Sequence, residues 1–347
     1  MAEDNNTIYL TQQLSECFKY YYNSINQEEI IPASREKLIF DIKHLLEQYG
    51  FTKKNLAADG IEELQDKINQ LFKRNNKEIV LFTMPDSKTI NCWLGDLVEE
   101  RRETRNIWGK EIDFMVKAID NLEIRDFTYF LTKGREALDV GTRSAVICYN
   151  LEAYKMRANS IWDFFRDRED KLKNKRYDPS KSNRLRKWLY HKTWLNLYTD
   201  CIKDSPNLEE AKKRFIDKAV IALKENSLCH EAGHIFADRY LKLNDEVKEE
   251  TLAFLSELRC GLLPYESLET VVAASYKSPM YSYNLAGREI ISGIIAYIKD
   301  KQKDKSSDYK KINIQGKNQI EKITNLYKLS EAQIRAISGY IYEQKRN

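Results

Sequence analysis

The chain has 347 residues, a formal net charge of +4 and 42% hydrophobic residues. This length and apolar content exclude a wholly disordered protein and leave room for two or three compact regions. The small net charge does not by itself argue for nucleic-acid binding, and the 12 glycines and 6 prolines favour long helices over a many-stranded sandwich.

The six cysteines are widely spaced and form no C-x-x-C pair, which is typical of reduced thiols in a cytoplasmic protein. The N-terminus lacks the basic and apolar segments of a secretory signal. The longest apolar run, around residues 294–298, is too short to cross a bilayer. We therefore expect a cytoplasmic protein that uses no ordinary export route and has no membrane anchor.

The first part of the chain is expected to be helical. Apolar residues recur at helical spacing from residue 7 to residue 73, and we place a helical N-terminal region at residues 1–76. A β-branched and aromatic run at 78–84 then predicts a strand that Pro85 stops.

Three segments follow this first strand. The charged segment 97–122 is predicted to be helical, and strands are predicted at 127–132 and 144–151. The last of these is a candidate edge strand, which could bind an extended peptide by strand addition.

Residues 160–198 combine aromatic residues with a basic run. Such a mixture can follow single-stranded nucleic acid, but aromatics at helical spacing usually form core and basic runs usually form solvated faces. We take the stretch 171–192 as structural and keep a nucleic-acid-associated factor as an alternative.

The remaining elements are expected to be helical. Asp204–Glu210 has the composition of a helix start, and whether that helix is continuous with the next one, which is expected to run to about Leu243, is open. Further helices are predicted at 246–258 and 286–298. A charged linker at 299–311 precedes a final amphipathic helix containing Leu329, Ile334, Ile337 and Ile341.

One short pattern carries the chemistry. The segment 229–236 reads C-H-E-A-G-H-I-F, which contains H-E-x-x-H and two of the four histidines of the chain. On a helix, His230 and His234 lie on one face and can bind one metal ion. Glu231 is offset by one position, which suits a general base acting on water activated by Zn²⁺.

A catalytic zinc site takes three protein ligands and a water, so one ligand is missing from the motif. Glu250 is the first candidate, because Ala253 three positions later would let a second helix approach closely. Glu257 and Glu289 remain alternatives.

The segment from His230 to Pro264 resembles the gluzincin metallopeptidases, most of all the ImmA/IrrE family, in which H-E-x-x-H is followed by E-x-x-A and a Leu-Leu-x-Pro tail. The resemblance implies His230 and His234 as zinc ligands, Glu231 as general base and Glu250 as third ligand. It covers about a tenth of the chain.

An enzyme of this kind also needs a donor for the oxyanion formed during the reaction. Tyr283 is the candidate we select, with Tyr281, Arg288 and the more distant His191 as alternatives. The two thiols nearest to the motif in sequence, Cys229 and Cys260, are expected to be buried and to bind no metal.

These inferences combine into one prediction. We expect a mainly helical α+β protein with a zincin-like catalytic domain at residues 77–300 and a charged linker with a C-terminal helix at 301–347. The expected activity is zinc-dependent hydrolysis of a protein or peptide substrate, without membrane or nucleic-acid partners. The alternative is a regulatory or interaction protein on the same scaffold.

Overall fold

The computed structural model describes residues 5–26, 31–52, 56, 60–73, 75–83, 89–132, 140–143, 145–169, 185–277, 281–304, 306–312, 314 and 325–346. These residues form a mainly helical α+β fold with one small mixed sheet, as predicted.

The helices are α1 (Asn5–Asn26), α2 (Ile31–Gln48), α3 (Ile61–Phe72), α4 (Phe127–Leu131), α5 (Leu151–Arg166), α6 (Leu185–Lys203), α7 (Leu208–Phe236), α8 (Glu246–Cys260), α9 (Pro264–Tyr276), α10 (Ser282–Lys301) and α11 (Glu331–Arg346). The strands are β1 (Lys77–Thr83), β2 (Ile90–Ile107), β3 (Lys110–Ile124), β4 (Val140–Arg143) and β5 (Val146–Asn150).

The chain divides into two compact units. The first contains Met1–Glu103 and Phe114–Tyr154, and the second contains Thr104–Asp113 and Lys155–Asn347. The strands, apart from the hairpin tip at 104–113, therefore share a unit with the N-terminal helices, and the histidine motif lies in the other unit.

In the first unit, the three predicted N-terminal helices cover one face of the sheet. Phe18 on α1, Leu46 on α2 and Ile68 on α3 are buried in one apolar cluster with Ile79 and Leu81 of β1. Burial of each such side chain contributes about 2 kcal/mol, so the helical periodicity of residues 7–73 is explained by this core.

The prediction of a helix at 97–122 is wrong, because this segment forms most of the β2–β3 hairpin. Along β2 from residue 98 onward, half-buried and exposed side chains mostly alternate, which is the strand period and not the helix period. Trp108 and Gly109 both have positive φ, at 52° and 78°, and form the two-residue turn of the hairpin. Strand pairing outweighs the helical propensity of the Glu and Arg residues here.

The predicted strand at 127–132 is also wrong. Asp126 caps a short helix there, because its side chain accepts a hydrogen bond from the backbone N–H of Tyr129 at 3.0 Å. The other two strand predictions are confirmed by β1 and β5.

β5 is not an edge strand, however. The sheet order is β1-β2-β3-β5-β4, with β5 parallel to β3 and antiparallel to β4. Its backbone groups are already paired on both sides, so strand addition is excluded for the described strand at 146–150, and residue 144 of the predicted strand lies outside the described residues. At the β1 edge, the Asn69 side chain bonds both N–H and C=O of Ile79, at 2.8 and 3.0 Å, and thereby covers part of that edge.

The described residues of the second unit form helices and their connections, together with the hairpin tip at 104–113. α7 is one continuous helix that begins after Asn207, whose side chain accepts from Glu210 N–H at 2.9 Å. Asp245 caps α8, and a π-turn at Ala237–Leu241 ends α7. α11 confirms the predicted C-terminal helix, and α9 adds a helix that the sequence did not indicate. Among the described helices, none has the length and apolar character needed to span a membrane.

Candidate metal centre

α7 and α8 pack against each other at their smallest residues. A Cβ added to Gly233 would lie 2.7 Å from the Ala253 Cα and 2.9 Å from the Ser256 Oγ. Any larger residue at 233 would therefore force the helices apart. Glycine inside a helix costs about 1 kcal/mol relative to alanine, so Gly233 was a readable signal of close packing that the sequence analysis did not use.

This approach brings Glu250 to the two histidines. His230, His234 and Glu250 each offer a ligand atom within 4.8 Å of the others. The Nε2 atom of His230 lies 3.7 Å from Glu250 Oε2, and the Nε2 atom of His234 lies 3.8 Å from Glu250 Oε1. In a tetrahedral site with bonds of about 2.1 Å, ligand atoms lie about 3.4 Å apart. Small side-chain shifts would close the cluster on a zinc ion.

One atom of this cluster lacks a partner. Glu250 Oε2 is buried and accepts no hydrogen bond within the described part of the chain. A buried carboxylate oxygen without a partner is costly, and a cation would satisfy it. The two imidazoles and one carboxylate are also the ligand types that zinc takes.

Glu257 belongs to the surroundings of the cluster. Its Oε2 lies 3.3 Å from the Nδ1 of His230, and its Oε1 accepts from the Ser267 hydroxyl at 2.9 Å. Asn226 in turn donates to the Ser267 Oγ at 2.9 Å. This series of side-chain contacts holds Nδ1 of His230 toward Glu257 and leaves Nε2 facing Glu250.

The two histidines have opposite pKa shifts. Burial lowers the pKa of His230, but the hydrogen bond to Glu257 and the charges of Glu231 and Glu250 outweigh it, so that its pKa is raised to about 9. Burial and the neighbouring charge of His230 lower the pKa of His234 to about 4. His234 is thus neutral at pH 7, the form that coordinates a metal.

The other predicted site residues are distributed around this cluster. Glu231 is buried beside His230 on α7. The ring of Phe254 packs edge-on against His230 with centroids 5.1 Å apart, and the ring of Tyr283 lies 4.8 Å from Phe254. Tyr283 is therefore one ring away from His230.

Several alternatives lie elsewhere. Glu289 is exposed and forms an ion pair with Lys345. Tyr281 is exposed, and Arg288 donates to the backbone carbonyls of Ser275 and Lys277.

The two remaining histidines and the two thiols have their own surroundings. His191 is buried against Phe164 and Phe165, whereas His44 is exposed on α2. Cys229 is buried and accepts from Arg105 at 3.2 Å. The expectation of two buried thiols is wrong for Cys260, which is exposed at the last turn of α8.

The basic stretch 171–192 is described only from residue 185. Arg186 there is paired with Glu269, and Lys192 lies over the Tyr265 ring at 4.6 Å. Residues 170–184 lie outside the described part.

Comparison with known proteins gives no relative. No protein-family model, curated protein or solved structure matches the chain. The resemblance to the ImmA/IrrE metallopeptidases therefore depends on the residues between His230 and Pro264 alone.

We expect Gly233→Ala to separate α7 from α8, because the new Cβ would overlap Ala253 and Ser256. The free energy of unfolding should fall by about 2 kcal/mol, measured by urea denaturation. Gly60→Ala is the control, since its Cβ would meet nothing nearer than 4.0 Å. Equal stability of Gly233→Ala and wild type would contradict this account of the helix contact.

His191 gives a prediction about pH. Burial, with the nearby Arg168 and Lys187 charges, lowers its pKa from 6.5 to about 4. Between these values the unfolded chain binds a proton that the folded chain does not. Folding stability is therefore lost as the pH falls from 6.5 toward 4, by on the order of 3 kcal/mol from this group.

The slope of unfolding free energy against pH, measured in EDTA, should be shallower in His191→Leu. Leu189→Ala removes a buried neighbour on the same helix and should lower stability without changing that slope. An unchanged slope in His191→Leu would show that the imidazole is protonated equally in both states.

Proposed function

We propose that this chain is a zinc-dependent metallopeptidase with His230, His234 and Glu250 as the metal ligands. The observation that supports the proposal most is the Glu250 carboxylate: its buried Oε2 lacks a hydrogen-bond partner within the described chain and lies 3.7 Å from His230 Nε2, and its Oε1 lies 3.8 Å from His234 Nε2. The substrate class is a protein or peptide.

A zinc ion held by two imidazoles and a carboxylate supplies a water of lowered pKa and a Lewis acid for the peptide carbonyl. Glu231 accepts the proton of the attacking water on its carboxylate and returns it to the nitrogen of the leaving amine. Its position next to His230 on α7, offset by about 100° around the helix, keeps it out of the ligand set.

The surrounding residues serve orientation and access. Glu257 and Ser267 fix the ring of His230, while Phe254 packs against its edge and limits water on that side. Tyr283, on the far side of Phe254, is assigned as the hydroxyl donor to the oxyanion. A zincin-like arrangement of residues 77–300 is part of the same proposal.

The metal assignment predicts close to one zinc per chain in protein purified without chelator. Glu250→Ala and His234→Ala should lose the metal, because each removes one of three ligands. Glu231→Gln should keep the metal and lose peptide hydrolysis. Elemental analysis and a cleavage assay on a mixed peptide library measure both properties.

Glu289→Gln is the matched control, since Glu289 pairs with Lys345 and lies outside the cluster. It should keep both metal and activity. A wild-type chain that binds no zinc, or a Glu231→Gln variant that still hydrolyses peptides at the wild-type rate, would refute the proposal.

The contact between Glu257 and His230 predicts that removing the Glu257 carboxylate weakens metal binding without abolishing it. Glu257→Ala removes the partner of His230 Nδ1 and should weaken zinc binding about tenfold or more, measured by competition with a chromophoric chelator. Glu246→Gln, an exposed position on the same helix, should leave the affinity unchanged. Wild-type affinity in Glu257→Ala would mean that packing alone orients the ring.

A further inference from the structure

A cleft in the second unit is lined by residues that have no part in the proposed hydrolysis. Its volume is about 400 Å³, and its walls come from the hairpin turn of β2–β3, the last turn of α8 and one face of α11. The side chains of Trp108, Arg259 and Tyr342 line it, together with Glu343.

The aromatic wall of this cleft is fixed in place. Trp108 donates its indole N–H to the Ser256 Oγ at 2.8 Å, and its ring stacks on Tyr342 with centroids 3.9 Å apart and planes 9° from parallel. The indole therefore has little rotational freedom.

The guanidinium of Arg259 lies against this wall. Its central carbon is 5.2 Å from the centre of the Trp108 ring, a cation–π distance. A Cβ added to Gly339 would lie 1.9 Å from one of its terminal nitrogens. Because residue 339 is a glycine, the guanidinium of Arg259 can lie directly against the backbone of α11.

An arginine at the C-terminal end of a helix usually caps the last carbonyl groups or pairs with a carboxylate. Arg259 does neither among the described residues. Arg335 already caps α8, because it donates to the carbonyls of Arg259 and, at 2.7 Å, of Gly261. Within the described residues no carboxylate forms an ion pair with Arg259, although Glu343 also lines the cleft. The planar donor group of Arg259 therefore lines the cleft without an ion-pair partner among the described residues.

We propose that this cleft binds the oxyanion group of a small molecule, a carboxylate or a phosphate, through the guanidinium of Arg259. Trp108 and Gly339 position that guanidinium, and Arg335 leaves it free for the ligand. The site is separate from the histidine cluster, so the proposal stands or falls independently of the peptidase activity.

The test uses the full-length chain and two probes, inorganic phosphate and acetate, each titrated while tryptophan fluorescence is recorded. Trp108 is stacked beside the guanidinium, so anion binding should give a saturable change for at least one probe. The probe whose titration saturates at the lower concentration is the preferred oxyanion. Arg259→Gln should bind about tenfold more weakly or worse, because a charge-assisted hydrogen bond is lost.

Arg239→Gln is the matched control, as Arg239 is an exposed arginine on the π-turn outside the cleft, and it should titrate like wild type. Arg259→Lys keeps the charge without the planar fork and should bind more weakly than wild type, which guards against a folding defect of the glutamine variant. An absent response in wild type overturns the proposal. So does an equal response in Arg259→Gln, or a response lost only in His234→Ala, which would assign the anion to the metal cluster.

Discussion

The contact between Gly233 and Ala253 is the constraint on which the histidine cluster depends. It lets the two helices approach until backbone meets backbone, with Ser256 filling the space one turn further. Glu250 lies three residues before Ala253, on the same face of its helix, so the contact that joins the helices also directs the carboxylate at the histidines. The same contact between the two helices therefore determines both their packing and the positions of the three candidate ligands.

Close packing places several acids around His230, and their desolvation has to be offset. The desolvation of the Glu257 carboxylate is offset by the hydroxyl of Ser267 and by the imidazole of His230, whose pKa is raised by this contact. Glu250 has no comparable donor for its buried Oε2 within the described chain. One buried oxygen of the cluster thus accepts no hydrogen bond, and a divalent cation would bind it.

The parts that the sequence predicted correctly are those set by local spacing. Periodicity within one element predicts that His230 and His234 share a helix face, and it also predicts the N-terminal helices and the C-terminal helix. Segment 97–122 could not be read this way, because its Glu and Arg residues form helices readily and become strands only through pairing across the Trp108 turn. The partners Glu257, Ser267 and Asn226 lie on three different helices, and no spacing rule joins them.

The difference between the two histidines shows what the tertiary structure adds to the motif. In sequence, His230 and His234 are equivalent ends of one pattern. In the fold, His230 is held through Nδ1 by Glu257 and retains a proton up to about pH 9, whereas His234 is already neutral at pH 7. A metal ion bound by this cluster would therefore have to displace the proton of His230. Loss of that proton would lower the metal affinity, and the orientation of the His230 ring by Glu257 would raise it by reducing the entropy lost in arranging the ligand.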